Sequence, residues 1–497
     1  MELTFIGLLQ ILIGGAIVIA GRLRHALLFL MFSTLFSGSA AMSLPALGGS
    51  SIAPVQFALV FVFLRLLLPG GGTLGNVPQA IAANRWFALF ALYGGASAMI
   101  LPRLFAGTMD VAPMRLEVTG NLFYTIPLEP TSQNITSAVY LLGGLLTLVA
   151  VWIISRRPGM PPRIVNALVI MALFHAFAGL AAALLRGTPV DLFFDLFRNS
   201  SYVQMDDAVG GFARIRGFFP EASAYAGFGF GLFVANAELW YRRISPRATG
   251  AATALLGLVL FFSTSSTAYI GLGTYGVMFA LRILAFPRLV DHSRTVMALA
   301  ALGAAIFMAA IAFVVKPDLA YSVIDVIQRM TVDKSESDSS IQRLFWTMQG
   351  WEAFKASWGL GIGAGSFRSS SLAFAILGSM GVIGVATFLI HMVIVLQPWR
   401  KSCWVASPVE AENIGGALGS AAVLSLIPAF VNSATAIPGN VFLLLAGASL
   451  ALRPLMREPA NRRSEDKPGL PQRNFSQRQT AAMSRKREMR QHGATRV

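Results

Sequence analysis

The chain has 497 residues, of which 55% are hydrophobic and only 12% charged. Soluble domains carry roughly 25% charged residues, so a water-soluble globular protein is excluded. The formal net charge of +16 lies mostly in short hydrophilic breaks and in the C-terminal tail. That distribution fits the positive-inside rule and anionic lipid headgroups, and no nucleic-acid partner is expected.

Apolar runs long enough to cross roughly 30 Å of hydrocarbon recur along the chain. They cover residues 3–21, 26–46, 51–68, 86–104, 136–155, 164–185 and 220–240, then 248–265, 268–286, 296–315, 371–396, 414–432 and 436–452. The first run is interrupted by polar residues. It has neither a basic start nor an Ala-x-Ala cleavage site, so it is expected to remain in the protein. The expected fold class is all-α, a polytopic membrane helix bundle of about 12–13 transmembrane helices over residues 1–456. Residues 457–497 are rich in Arg, Gln, Ser and Asn without an apolar period. They are expected to form a disordered, basic cytoplasmic tail.

Alternate breaks carry arginine: Arg22 and Arg24, Arg85, Arg156, Arg157 and Arg163, Arg242, Arg243 and Arg247, Arg288 and Arg294, then Arg400 with Lys401. These should lie on the cytoplasmic side, which leaves the N-terminus outside. Three long hydrophilic segments, about 105–135, 186–219 and 317–370, then face the non-cytoplasmic side. Glu238 and Arg65 fall near cytoplasmic helix ends, where long side chains snorkel, and no function is assigned to them. His175 and His391 fall within spans, where a packed, hydrogen-bonded imidazole is expected. No histidine lies in an outward loop. Cys403 is the single cysteine, so neither a disulfide framework nor a cysteine metal site is expected.

The segment Arg214-Ile-Arg216-Gly217-Phe-Phe-Pro220-Glu221-Ala-Ser223 leads into a span. Pro220 suits a first helical turn, and the helix dipole there favours the negative charge of Glu221. Arg214 and Arg216, two residues apart, project to one side of an extended approach. Guanidinium groups grip phosphate bidentately, although an ordinary helix start with a local Arg–Glu pair has the same spacing.

Ser339 and Gln342 form a capping box, and Ile341, Leu344, Phe345, Met348 and Trp351 make an apolar stripe at helical spacing. That helix rests on the membrane or packs on the bundle, with Arg343 off the stripe. Next come Gly359, Gly361, Gly363 and Gly365, followed by Ser366-Phe367-Arg368. Alternating glycines turn amides toward an anion or give a flexible loop, and both readings stand. The turn Ser263-Thr-Ser-Ser266-Thr267 joins two spans; its hydroxyls either satisfy helix ends or bond a sugar or pyrophosphate.

Three features together resemble the O-antigen polymerase and O-antigen ligase superfamily of bacterial envelope proteins. They are Arg216-Gly217-Phe-Phe-Pro220-Glu221, the hydroxyl-rich hairpin at Ser263–Tyr269, and Gly361-Ile-Gly363-Ala-Gly365-Ser366-Phe367 followed by Gly378-Ser-Met-Gly381-Val-Ile-Gly384. The similarity covers roughly residues 200–400. It implies a GT-C-like bundle with long periplasmic loops in the bacterial inner membrane. It also implies glycosyl transfer from an undecaprenyl-pyrophosphate-linked oligosaccharide at the periplasmic face, without a metal or other cofactor.

Arg216, Arg214 and Glu221 would be catalytic, and Arg343, Arg368, Gly363, Gly365 and Ser266 would bind substrate. Membrane lipids, a chain-length regulator and a flippase are the implied partners. Ligases carry a histidine shortly after the glycine turn, where this chain has Ser369-Ser370-Ser371. Many members have an Arg in the hairpin, where Ser266 and Thr267 stand here. A polymerase of O-antigen or exopolysaccharide is therefore expected ahead of a ligase. A transporter or flippase and a non-catalytic assembly subunit are the remaining alternatives.

Overall fold

The computed structural model describes residues 2–454 apart from 46–49, 69–73, 116–120, 122, 200–207, 210–211, 288–289 and 316–337. Met1–Arg453 forms one compact unit. The expected tail at 457–497 and part of the expected 317–370 loop lie outside the described residues.

The described chain is mostly helical. In order come α1 (Phe5–Ala20), α2 (Leu23–Ser33), α3 (Pro54–Leu67), α4 (Val77–Ala83), α5 (Arg85–Leu104), α6 (Ser132–Ser155), α7 (Met160–Leu184), α8 (Pro189–Asp195) and α9 (Ala222–Tyr241). Then follow α10 (Pro246–Phe262), α11 (Ser266–Ala285), α12 (His292–Val315), α13 (Asp338–Ala356), α14 (Leu372–Leu396), α15 (Lys401–Trp404), α16 (Glu410–Leu424), α17 (Ala429–Asn432) and α18 (Asn440–Leu452). Each of the thirteen apolar runs overlaps at least one helix. Among the described residues, six segments are long and apolar enough to cross a membrane: α5, α6, α7, α11, α14 and Glu410–Asn432. Five shorter apolar helices (α1, α2, α3, α10 and α18) accompany them.

Large apolar side chains remain exposed around the bundle, among them Leu12, Ile19, Leu184 and Leu284 at 71%, 87%, 79% and 76%. An unburied apolar surface this extensive needs hydrocarbon rather than water as its neighbour.

Local chemistry explains several helix starts. Thr4 caps α1 by accepting from Gly7 N–H, and Thr131 caps α6 in a reciprocal box with Asn134. Pro54 and Pro246 open α3 and α10, where a missing N–H costs nothing. The all-α expectation omitted three small sheets: Glu2–Leu3 with Met42–Leu44 and Ser50–Ile52, Asp110–Val111 with Ile126–Pro127, and Ala208–Val209 with Phe212–Ala213. Two expected runs also break. α2 stops at Ser33, well short of residue 46, and the run at 414–432 is interrupted at Ser425–Pro428, where Pro428 cannot donate to the preceding turn.

The breaks gather at two ends. At one, Gly38 N–H donates to Phe218 O, Tyr140 Oη to Ser51 O, Arg368 N–H to Ala112 O and Ser369 N–H to Ala434 O. At the other, Arg65 Nε donates to Gly21 O, Arg242 to Cys403 O and Asn413 to Arg242 O. Arginine-bearing breaks collect at this second end.

Glu238 does not snorkel. α9 packs among α7, α10, α11 and α16, so its last turns have no route to the surface. Glu238, 2% exposed, instead pairs with Arg282 at 3.1 Å and Arg242 at 3.4 Å, and accepts from Tyr275. His175 and His391 are packed as expected, but the expected hydrogen bonding is incomplete. His175 stacks on Tyr225 at 3.9 Å, and its Nε2 and both ring nitrogens of His391 have no hydrogen-bond partner among the described residues.

The glycine-rich turn is inserted between α5, α6 and α14. Ile362 and Gly363 N–H donate to the Gly378 and Ser379 carbonyls, and Val382 N–H donates to Gly359 O. α14 is interrupted at Gly381 (φ 57°, ψ −151°), a conformation essentially restricted to glycine, and a Cβ there would overlap Gly359 O. Non-helical backbone of this kind is tolerated at membrane depth because protein surrounds it. Gly381→Ala is expected to cost about 3 kcal/mol, from strain plus overpacking. A lowered thermal midpoint of the detergent-purified protein would register it, and an unchanged midpoint would contradict this packing.

Candidate functional site: a hydroxyl-lined cavity between two arginine-bearing arms

The first arm is the approach to α9. Phe219 N–H donates to Arg216 O, closing a turn that Gly217 completes in the left-handed region (φ 51°). Phe218 plugs into an aromatic cluster with Phe36, Phe174, Phe194 and Phe197, at ring separations of 5.0–5.8 Å. Arg198 braces the turn from behind. It is 7% exposed, donates to Gly217 O at 2.9 Å, and pairs with Asp195 at 3.3 Å and Asp191 at 3.5 Å. Burial and the nearby Arg216 charge push the Arg198 pKa down, against the pull of the two aspartates. Arg214 and Arg216 are half-buried on this arm. Glu221 is the N-cap of α9 rather than a first-turn residue, and its Oε1 accepts from Ser223 Oγ.

The second arm is the exit from the glycine turn. The Arg368 guanidinium lies over the Trp346 ring at 4.5 Å and reaches toward Met114 O at 3.5 Å. Arg343 sits one helical turn before Trp346 on α13, and Arg115 directly follows Met114. Val111, Leu128, Ala353, Ile362 and Phe367 form a small core beneath this arm. Leu344 at 64%, Ile341 at 44%, Met348 at 41% and Trp351 at 40% of the expected stripe stay exposed. α13 packs on α14 at Gly350 instead, where a Cβ would overlap Phe374 O, while the buried Gln349 Oε1 accepts from Ala112 N–H.

Gly363 and Gly365 belong to the packing of this arm. Gly363 lies against Pro102 and Ser97 O, and Gly365 against Gln133 O and Ser137 Oγ, both at positive φ. The N–H of Gly363 is taken by Ser379 O. The alternation of glycines answers backbone contacts with three helices.

Between the arms lies a cavity of about 230 Å³. Its polar lining includes Ser223, Thr267, Asn432, Ser433 and Asn440, and its apolar lining includes Phe219 and Phe228. α9 supplies the first group of these, α11 supplies Thr267, and the interruption after α16 opens the remaining wall. Gly227 faces Thr267 and Pro428, leaving room that a larger side chain would fill. Phe219 is three residues from Arg216, and Ser433 neighbours Ala434, whose carbonyl accepts Ser369 N–H. Each arm therefore runs into one wall of the cavity.

Ser266 opens α11, and it is Thr267 that lines the cavity. In the same hairpin the hydroxyls of Thr264 (7% exposed, φ 49°) and Ser265 (fully buried) have no hydrogen-bond partner among the described residues. Sequence reasoning missed Arg198 and Arg115, which lie in long loops without a pattern. It also missed Asn432, Ser433 and Asn440, whose one signal is a cluster of amide and hydroxyl residues between two apolar runs.

No family model matches the sequence, and no curated protein matches it either.

Proposed function

We propose that this chain is a polymerase-type glycosyltransferase of a bacterial inner membrane, with twelve or thirteen transmembrane helices in a GT-C-like bundle. It would join undecaprenyl-pyrophosphate-linked oligosaccharide repeat units into O-antigen or exopolysaccharide at the periplasmic face. The observation that carries this reading is the uncharged, hydroxyl-lined cavity with an arginine-bearing arm on either side. A lipid-linked sugar with a neutral glycan has the same division: an uncharged, hydroxyl-rich glycan joined to a diphosphate.

In this mechanism an acceptor hydroxyl oxygen attacks the anomeric carbon of the donor. The anomeric C–O bond to the diphosphate breaks, and its electron pair leaves with the diphosphate oxygen. Arg214, Arg216, Arg368 and Arg343 would hold that group and stabilise its growing charge. Glu221 would take the acceptor's proton, either directly or through Ser223, whose hydroxyl faces the cavity and donates to Glu221. The short breaks at the cavity end, such as Ser263–Thr267, carry no charge, whereas the short breaks at the other end carry arginine, and this asymmetry supports a periplasmic site.

Purified protein in nanodiscs, supplied with lipid-linked repeat units, should elongate them. Glu221→Gln is expected to slow elongation by about 10²–10⁴-fold, the usual contribution of a positioned base. Unchanged polymer length and yield in that variant would remove Glu221 from the reaction.

A second reading, a transporter of lipid-linked sugar, is favoured by the helix interruptions at Gly381 and at Ser425–Pro428, because transporters bind substrate at broken helices. The first interruption is filled by the protein's own glycine turn. The second lines the cavity. The same nanodiscs separate the two readings: elongation marks the enzyme, and movement of lipid-linked sugar between leaflets without elongation marks the transporter.

A further inference from the structure

The cavity beside α9 has no charged side chain among its described lining residues. Its hydroxyl and amide groups come from five separate segments, around Ser37, Ser223, Thr267, Ser425–Ser433 and Asn440, and stand beside phenylalanine rings, with Phe219 and Phe228 tilted at 5.0 Å from each other. A space for acyl chain would need no such polar groups. The unpartnered, buried hydroxyls of Thr264 and Ser265 stand in the hairpin that delivers Thr267 to the wall.

We infer that this cavity is a saccharide subsite that takes one uncharged sugar ring and discriminates against acidic sugars. A pyranose combines an apolar C–H face, suited to the phenylalanines, with a rim of hydroxyls suited to Ser223, Thr267, Asn432 and Asn440. The volume of about 230 Å³ falls below the roughly 300–1,000 Å³ of pockets for drug-sized ligands, so it accommodates a ring and not a chain. A hexuronate would carry its carboxylate into a space with no cation to meet it, which is costly. The arginines stand on the flanking arms, outside the lining, so charge recognition and ring recognition are separated in space.

This inference rests on the glycosyl-transfer reading for the origin of the ring, and its test is independent of transfer. The full chain in nanodiscs is titrated with methyl hexopyranosides and with methyl hexuronides, with saturation-transfer NMR as the readout. Neutral glycosides are expected to show saturable transfer, and hexuronides at least fivefold less. Thr267→Val and Asn440→Leu should each weaken neutral glycoside binding by about tenfold, one hydrogen bond's worth. Asn440→Lys should raise hexuronide binding above wild type, a gain that no misfolded protein would show.

Equal binding of the two classes, or neutral binding indifferent to all three substitutions, would overturn the subsite. Elongation of lipid-linked repeats alongside such indifference would sink the subsite alone. Substitution-sensitive glycoside binding in a protein that never elongates would keep the subsite and sink the glycosyl-transfer reading.

Discussion

Arg216→Lys is expected to reduce polymer formation by about 10²–10³-fold while leaving the thermal midpoint of the protein unchanged. Lysine keeps the positive charge and loses the planar fork, so the substitution isolates bidentate geometry from net charge. The turn has supports other than the Arg216 guanidinium. It is held by the Phe219 N–H to Arg216 O bond, by Phe218 in its aromatic cluster and by Arg198 on Gly217 O.

Arg198→Lys provides the contrast. Its guanidinium is committed to two aspartates and a backbone carbonyl, so its replacement should lower the thermal midpoint as well as the activity. If Arg216→Lys elongates lipid-linked repeats at the wild-type rate, the first arm does not grip the leaving diphosphate. If it loses activity only in proportion to folded protein, Arg216 is structural.

How much of this was legible beforehand depends on how local each signal is. The helices were readable because hydrophobic length is a property of contiguous residues, and each apolar run overlaps a helix even where, as at 26–46 and 414–432, the helix breaks within it. The break at Ser425–Pro428 was legible only through Pro428, which the surrounding apolar residues masked. The glycine turn was visible as composition, but its purpose was not. Gly359 meets Val382, Gly363 meets Pro102 and Gly365 meets Gln133, contacts made across the fold.

The same holds for the site. Arg216 and Glu221 stand in one motif and were found together. The cavity wall is assembled from residues as distant as Ser223, Thr267 and Asn440, which no spacing rule connects. Glu238 was misjudged for a related reason. Its position near a helix end was evident, whereas the helices that enclose that end were not.

Glu238→Ala is expected to destabilise the folded protein by about 3–5 kcal/mol, the cost of leaving buried charge without its partner. The side chains of Glu238, Arg242 and Arg282 are 2%, 0% and 12% exposed, and the carboxylate stands between the two guanidinium groups. Each arginine also donates to a backbone carbonyl, Arg242 to Cys403 and Arg282 to Trp404, so neither is free to move out when the carboxylate is removed.

A complete replacement tests whether the three act as a unit. Apolar side chains of similar volume at all three positions should cost less than Glu238→Ala alone, because no charge is then stranded. Thermal unfolding in nanodiscs measures both, and costs that simply add would mean that each side chain contributes on its own. α9 carries this network in its last turns and the cavity in its first, with Ser223 and Glu238 about 22 Å apart along the helix at 1.5 Å per residue. Elongation per folded molecule should therefore survive in Glu238→Ala protein held below its lowered midpoint. Loss of elongation there would show that the arginine-bearing end positions the cavity through α9.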